Sequence, residues 1–171
     1  KEADELGMVV ILGYFYFGQD EYLEDEKAIF NATDLITDWI LKKGYKNILV
    51  EVNNECDVKK YDHEILKAEN IHKLITRVTK KVKEKGGKLL VGTSYGGGRI
   101  TRPNVAGIRD FILIHGNGVS NPERITEMVE KTKAVKGYNG QPILFNEDDH
   151  YDFGKENINM VAATKAYASW G

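Results

Sequence analysis

Apolar residues fall along this chain in two alternating rhythms. Met8–Phe17, Lys46–Val52, Lys88–Thr93, Phe111–His115 and Pro142–Phe145 are short, nearly unbroken apolar runs, which predict buried strands. Between them the spacing changes to that of a helix face. Over Asp25–Lys43 the residues Ala28, Ile29, Ala32, Leu35, Ile36, Trp39 and Ile40 share one side, and Gly44 closes the helix. A second helix carries Ile71, Leu74, Ile75, Val78 and Val82 along one stripe and ends at Gly86-Gly87. A third begins at Asn121-Pro122-Glu123, where a capping side chain, a proline and an acid stand in the order a helix start favours. It turns Ile125, Met128, Val129 and Thr132 inward. Short helices are expected around Asn104–Arg109 and over Glu156–Ala168. Lys1–Leu6 reads as the end of a helix stopped by Gly7, and Ala168-Ser169-Trp170 as the start of a further strand.

Strands that are continuous apolar runs, each followed by a helix, predict an α/β fold with a parallel sheet covered by helices. No linker or low-complexity stretch interrupts the order, so a single domain over 1–171 is expected. Two architectures fit five βα units. One is an open flavodoxin-like sheet. The other is a section of a TIM (β/α)8 barrel, which when whole needs about 250 residues. Two strand ends help to choose between them: Asn53-Asn54-Glu55 after the second run and Asn146-Glu147 after the fifth. Laid side by side on an open sheet, tips three strands apart stand roughly 14 Å from one another. Rolled into a barrel, they face each other across the mouth, where a retaining glycosidase needs its carboxyl groups about 5–5.5 Å apart. Phe17-Gly18-Gln19-Asp20 is also poorly made for the phosphate loop that would follow a flavodoxin-like first strand. The barrel section is the expected fold, an incomplete part of a larger domain.

Composition adds mostly exclusions. With 42% hydrophobic and 29% charged residues the chain has an ordinary globular composition. A net charge of −2 provides no basic footprint for nucleic acid or an anionic membrane. Lys80–Lys88 is a solvated helix end rather than a nucleic-acid patch. No run approaches the length of a membrane span. The single cysteine, Cys56, rules out an internal disulfide and reads as a small packed residue, since a neighbouring carboxylate raises a thiol pKa. Neither a targeting signal nor an oligomeric state can be read.

With both Asn-Glu motifs in place, the chain resembles the clan of retaining glycoside hydrolases with (β/α)8 barrels that includes cellulase-like and mannanase-like enzymes. The resemblance runs from about the third strand of such a barrel to the start of the eighth. It implies that Asn54-Glu55 ends the clan's fourth strand, with Glu55 as general acid/base, and that Glu147 ends the seventh as nucleophile. Glu51 matches a further glutamate frequent in the clan's fourth strand. Cys56 departs from the pattern, standing where the clan often has proline. The resemblance also implies a carbohydrate substrate, no cofactor, and a secreted or periplasmic setting.

Other residues have both a chemical and an ordinary reading. The Asn54 amide suits a sugar 2-hydroxyl; otherwise it closes an Asx turn. His115 can bind substrate, hold the carboxylate of the nucleophile, or serve as a structural histidine. Asn117 stands beside it as a substrate-binding candidate. Trp170 sits where clan members place a tryptophan beneath the sugar, and core packing is its alternative. Tyr95, in the turn before Gly96-Gly97-Gly98, has the same two readings. His150 joins the substrate-binding candidates. With His115, Asp148 and Asp149 it suggests a metal site, yet no metal-ligand spacing such as HExxH is present and none is expected. The long polar loop Asp57–Leu66 is a candidate for shaping a subsite.

Overall fold

In the computed structural model, which describes residues 1–150, 154–156 and 158–171, six strands form. They are β1 (Val10–Phe15), β2 (Ile48–Asn53), β3 (Leu90–Gly92), β4 (Ile112–His115), β5 (Ile143–Glu147) and β6 (Ser169–Trp170). The helices are α1 (Glu2–Glu5), α2 (Glu26–Lys43), α3 (Ile71–Glu84), α4 (Pro103–Ala106), α5 (Pro122–Lys133) and α6 (Asn159–Lys165). Pairing is parallel throughout and follows chain order: β1-β2-β3 in one sheet, β4-β5-β6 in another. Such sequential order is that of a barrel wall, without the order reversal at which a doubly wound sheet switches direction. No closed barrel is formed among the described residues. The chain groups into two compact units, Lys1–Thr93 and Ser94–Gly171.

In the first unit, α2 is capped by the Asp25 carboxylate, which accepts from the Ala28 N–H at 2.7 Å, and ends at Gly44 with φ of 70°. Its buried stripe differs from the expected one. Ile29, Thr33, Thr37 and Ile40 face inward, whereas Leu35 and Trp39 are exposed. The threonines can be buried because the Thr33 hydroxyl donates to the Ile29 carbonyl and that of Thr37 to Thr33. Helix α3 follows expectation, with Ile71, Leu74, Ile75, Val78 and Val82 all buried. A paired guanidinium–carboxylate contact, Arg77 to Asp34 at 2.8 Å through two nitrogens, ties α3 to α2. The Arg77 donor holds the Asp34 carboxyl below its ordinary range. Strand β1 is shorter and more exposed than predicted, because it lies at the edge of its sheet.

The second unit is built on Ile112, Ile114, Ile125, Val129, Phe145 and Ala163, all without exposure. Helix α5 starts as predicted, with Asn121 Oδ1 accepting from the Glu123 N–H. Helix α6 is shorter than the expected Glu156–Ala168; Asn157, within that span, lies outside the described residues. Among the described residues no helix is long and apolar enough to cross a membrane.

Candidate active site

The C-terminal tip of β2 is held from several sides. Asn53 is fully buried and spends both ends of its amide on neighbours: Nδ2 donates to the Leu66 carbonyl and Oδ1 accepts from the Thr93 hydroxyl, each at 2.7 Å. The loop that follows is thereby tied to the end of β3. At Asn54 the backbone N–H donates to the Phe15 carbonyl at 3.1 Å, and its carbonyl accepts from the Tyr61 hydroxyl. Burial pushes the Tyr61 phenol far above its ordinary range, so it remains a donor. With its backbone occupied, the buried Asn54 presents a side-chain Nδ2 that has no hydrogen-bond partner among the described residues. A buried amide donor left unused is costly and points to a ligand acceptor. Glu55 follows in the left-handed region at φ of 48°, a strained conformation for a residue with a Cβ. Its side chain is half-buried.

Asp20, just beyond β1, secures the loop Asp57–Leu66. Its buried carboxylate accepts from the Asp62 N–H at 2.9 Å and the His63 N–H at 3.3 Å. His63 Nε2 lies 3.0 Å from the Leu23 carbonyl and 3.2 Å from that of Asp20, which makes it the protonated nitrogen.

In the second unit the register decides where Glu147 points. Ile114 pairs with Phe145, but His115 pairs with Glu147, so Asn146 is the extra residue of a bulge. A bulge re-aims the side chain that follows it. Glu147 consequently lies beside β4, where Asn117 Nδ2 donates to its Oε2 at 3.0 Å and His115 Nδ1 stands 3.5 Å from the same oxygen. His115 is completely buried. Its Nδ1 faces the Glu147 carboxylate.

The acids after Glu147 have structural occupations. Asp148 accepts from Asn159 Nδ2 at 3.1 Å, and that amide also donates to the Val119 carbonyl at 2.7 Å. Asp149 accepts from the Gly118 N–H at 2.9 Å, which lowers its pKa, with His150 beside it adding to the effect. Asp148, Asp149 and His150 offer ligand atoms within 4.8 Å of one another. Trp170 stacks on Phe145, ring centres 5.5 Å apart, and is half-buried. Tyr95 is buried, with the Arg102 guanidinium 5.9 Å from its ring centre.

The second unit thus brings His115 and Asn117 to Glu147, while His150, Trp170 and Tyr95 make other contacts. In the first unit Asn54 and Glu55 share one strand tip. Sequence reading missed Asn53, Thr93, Asp20 and Asn159. The doubled asparagine at 53–54 was a signal for the first: two amides in succession at a strand end cannot both point the same way.

No family model matches the sequence, and no curated protein matches it. Solved structures do. A GH39 beta-xylosidase from Caulobacter crescentus aligns over 71% of this chain and 30% of its own, at 18% identity and a TM-score of 0.54. GH5_18 from Streptomyces cattleya, solved in complex with GlcNAc, aligns over 70% of this chain and 34% of its own, at 13% identity and a TM-score of 0.46. The chain therefore spans about a third of the length of these structures. Its parallel βα-repeat fold is similar to a section of the xylosidase structure.

Proposed function

We propose that the chain is the catalytic section of a retaining glycoside hydrolase acting on O-glycosidic bonds of an oligo- or polysaccharide, within a larger (β/α)8 domain. The observation that carries this reading is the Glu147 carboxylate. It stands at the C-terminal end of a parallel strand, and its Oε2 is held by the Asn117 amide at 3.0 Å and approached by buried His115 at 3.5 Å. A fixed carboxylate at a strand tip suits nucleophilic attack, because its orientation is set before substrate arrives. Asn54-Glu55 supplies the second strand-tip acid and an unspent amide donor.

In this mechanism Glu147 attacks the anomeric carbon as the glycosidic C–O bond breaks, and Glu55 gives its proton to the departing oxygen. The glycosyl ester on Glu147 is then displaced by water, whose proton returns to Glu55. Asn54 Nδ2 donates to the sugar 2-hydroxyl, an interaction that strengthens in the transition state. Trp170, stacked on Phe145 and half-buried, is proposed to face the sugar, with His150 at the rim and the buried Tyr95 packed behind.

The test is a panel of 4-nitrophenyl glycosides of glucose, xylose, mannose and galactose in both anomeric forms, assayed with the full-length protein. The anomeric proton of the first-formed product is followed by NMR. Retention is expected, together with loss of turnover in Glu147→Gln. Inversion, or unchanged turnover in that variant, contradicts the reading.

A further inference from the structure

We propose that Asn117 is a positioning residue for Glu147 rather than a sugar ligand, and that Gly97 is the packing element that keeps it in place. This rests on the reading of Glu147 as the nucleophile.

Three successive residues after β4 donate to the segment that carries Glu147. The Gly116 N–H reaches the Glu147 carbonyl at 2.7 Å, Asn117 Nδ2 its carboxylate at 3.0 Å, and the Gly118 N–H the Asp149 carboxylate at 2.9 Å. A fourth link follows, since Asn159 Nδ2 bridges the Val119 carbonyl and Asp148. The segment 116–119 is therefore laced to 147–149 along its length. Asn117 supplies the only one of these bonds that reaches the Glu147 side chain. An ionised carboxylate accepts only, so the asparagine must present its NH2 to Glu147. The N–H that points at Glu147 is then spent on the carboxylate, and the amide orientation is fixed by it.

The turn after β3 backs this arrangement. The Gly98 N–H donates to the His115 carbonyl at 2.9 Å. Gly97 lies so close that a Cβ there would meet the Asn117 carbonyl oxygen at 2.4 Å and its Cβ at 2.9 Å. The obstructing oxygen is backbone, so a methyl group at 97 has to push the Asn117 segment away. Gly97 acts through contact with Asn117, which separates its effect from any contact with substrate.

The experiment measures kcat and KM for Asn117→Ala, Gly97→Ala and the double variant. It uses the full-length protein and the 4-nitrophenyl glycoside turned over fastest in the panel. Misplacing a reacting group by about 1 Å costs up to about 100-fold. Asn117→Ala is expected to lower kcat about 10- to 100-fold with KM held within about twofold. Gly97→Ala should reproduce the kcat loss, and the double variant should be no worse than Asn117→Ala alone. A raised KM with kcat kept assigns Asn117 to the sugar and overturns the proposal, as do losses that multiply in the double variant. If Gly97→Ala does not fold, the kcat-against-KM split of Asn117→Ala decides. A crystal structure of Gly97→Ala that retains the Asn117–Glu147 hydrogen bond overturns the packing role directly. Essential Glu147 with a silent Asn117→Ala defeats this inference alone; Glu147→Gln with full turnover, or a wild-type protein inactive on the whole panel, defeats the underlying reading with it.

Discussion

Replacing Thr93 by valine removes one hydroxyl from a fully buried position while keeping the shape of the side chain. In the wild-type protein that hydroxyl lies 2.7 Å from Asn53 Oδ1 and 2.8 Å from the Asn53 carbonyl, and its single proton serves one acceptor at a time. Thr93→Val leaves Asn53 Oδ1 buried without its donor, at a cost of about 1–3 kcal/mol. Asn53→Ala removes two side-chain hydrogen bonds and strands the Leu66 carbonyl, for about 2–4 kcal/mol. Because the two changes break the same bond, the double variant should cost about 1 kcal/mol less than the sum. Thr93→Ser, which keeps the hydroxyl, should recover most of the loss. Urea unfolding followed by fluorescence and far-UV circular dichroism measures each variant at constant m-value. Coincidence of the two probes guards the two-state treatment, since the chain has two compact units. A Thr93→Val cost below about 0.5 kcal/mol, or strict additivity, would refute the assigned role of the Asn53 network.

Other expectations follow from the same geometry. Glu55→Gln should lower turnover of a glycoside with a poor leaving group about 10²- to 10⁴-fold, and far less for a 2,4-dinitrophenyl glycoside, whose leaving group departs without a proton; equal losses on both would reject the acid role. Arg77 lowers the Asp34 pKa below 3.8, so the carboxylate stabilises the fold above that value and the contribution is lost as pH falls through the depressed pKa. Asp34→Asn should therefore lose a modest amount of stability near neutrality, as a partly exposed pair would, match the wild type at low pH, and so flatten the acid side of a stability profile. Burial raises the Tyr14 pKa to about 12, against the weaker pull of its hydrogen bond to Thr37. Its contribution is present below pH 10 and lost as pH rises through 12, and the phenolate absorbance missing from Tyr14→Phe should belong to a tyrosine that titrates near pH 12, after the exposed tyrosines and before Tyr61.

Much of the fold was legible because strand and helix rhythms differ sharply in this chain. The α3 stripe from Ile71 to Val82 and the Asn121-Pro122 start of α5 carry their structure in residue type alone. The face of α2 was misread because threonine counts as polar in any hydrophobic pattern. Thr33 and Thr37 satisfy their hydroxyls on the helix backbone and so displace Leu35 and Trp39 from the buried side. At the site, the two Asn-Glu strand ends were visible from sequence, since strand tips carry the chemistry of βα folds. The bulge at Asn146 was not, because a one-residue register shift leaves no compositional trace. Nor was the Asn53–Thr93 bond, whose partners are 40 residues apart and meet only when β2 and β3 pair.

The most direct measurement is covalent trapping. Incubating the full-length protein with activated 2-deoxy-2-fluoro glycosides slows hydrolysis of the glycosyl ester, and peptide mass mapping then locates the attached sugar. A nucleophilic Glu147 gives one added fluorosugar, on the peptide that contains it, and none in Glu147→Gln. A label on any other residue, or steady turnover of the matching substrate with no trapped ester, would contradict it.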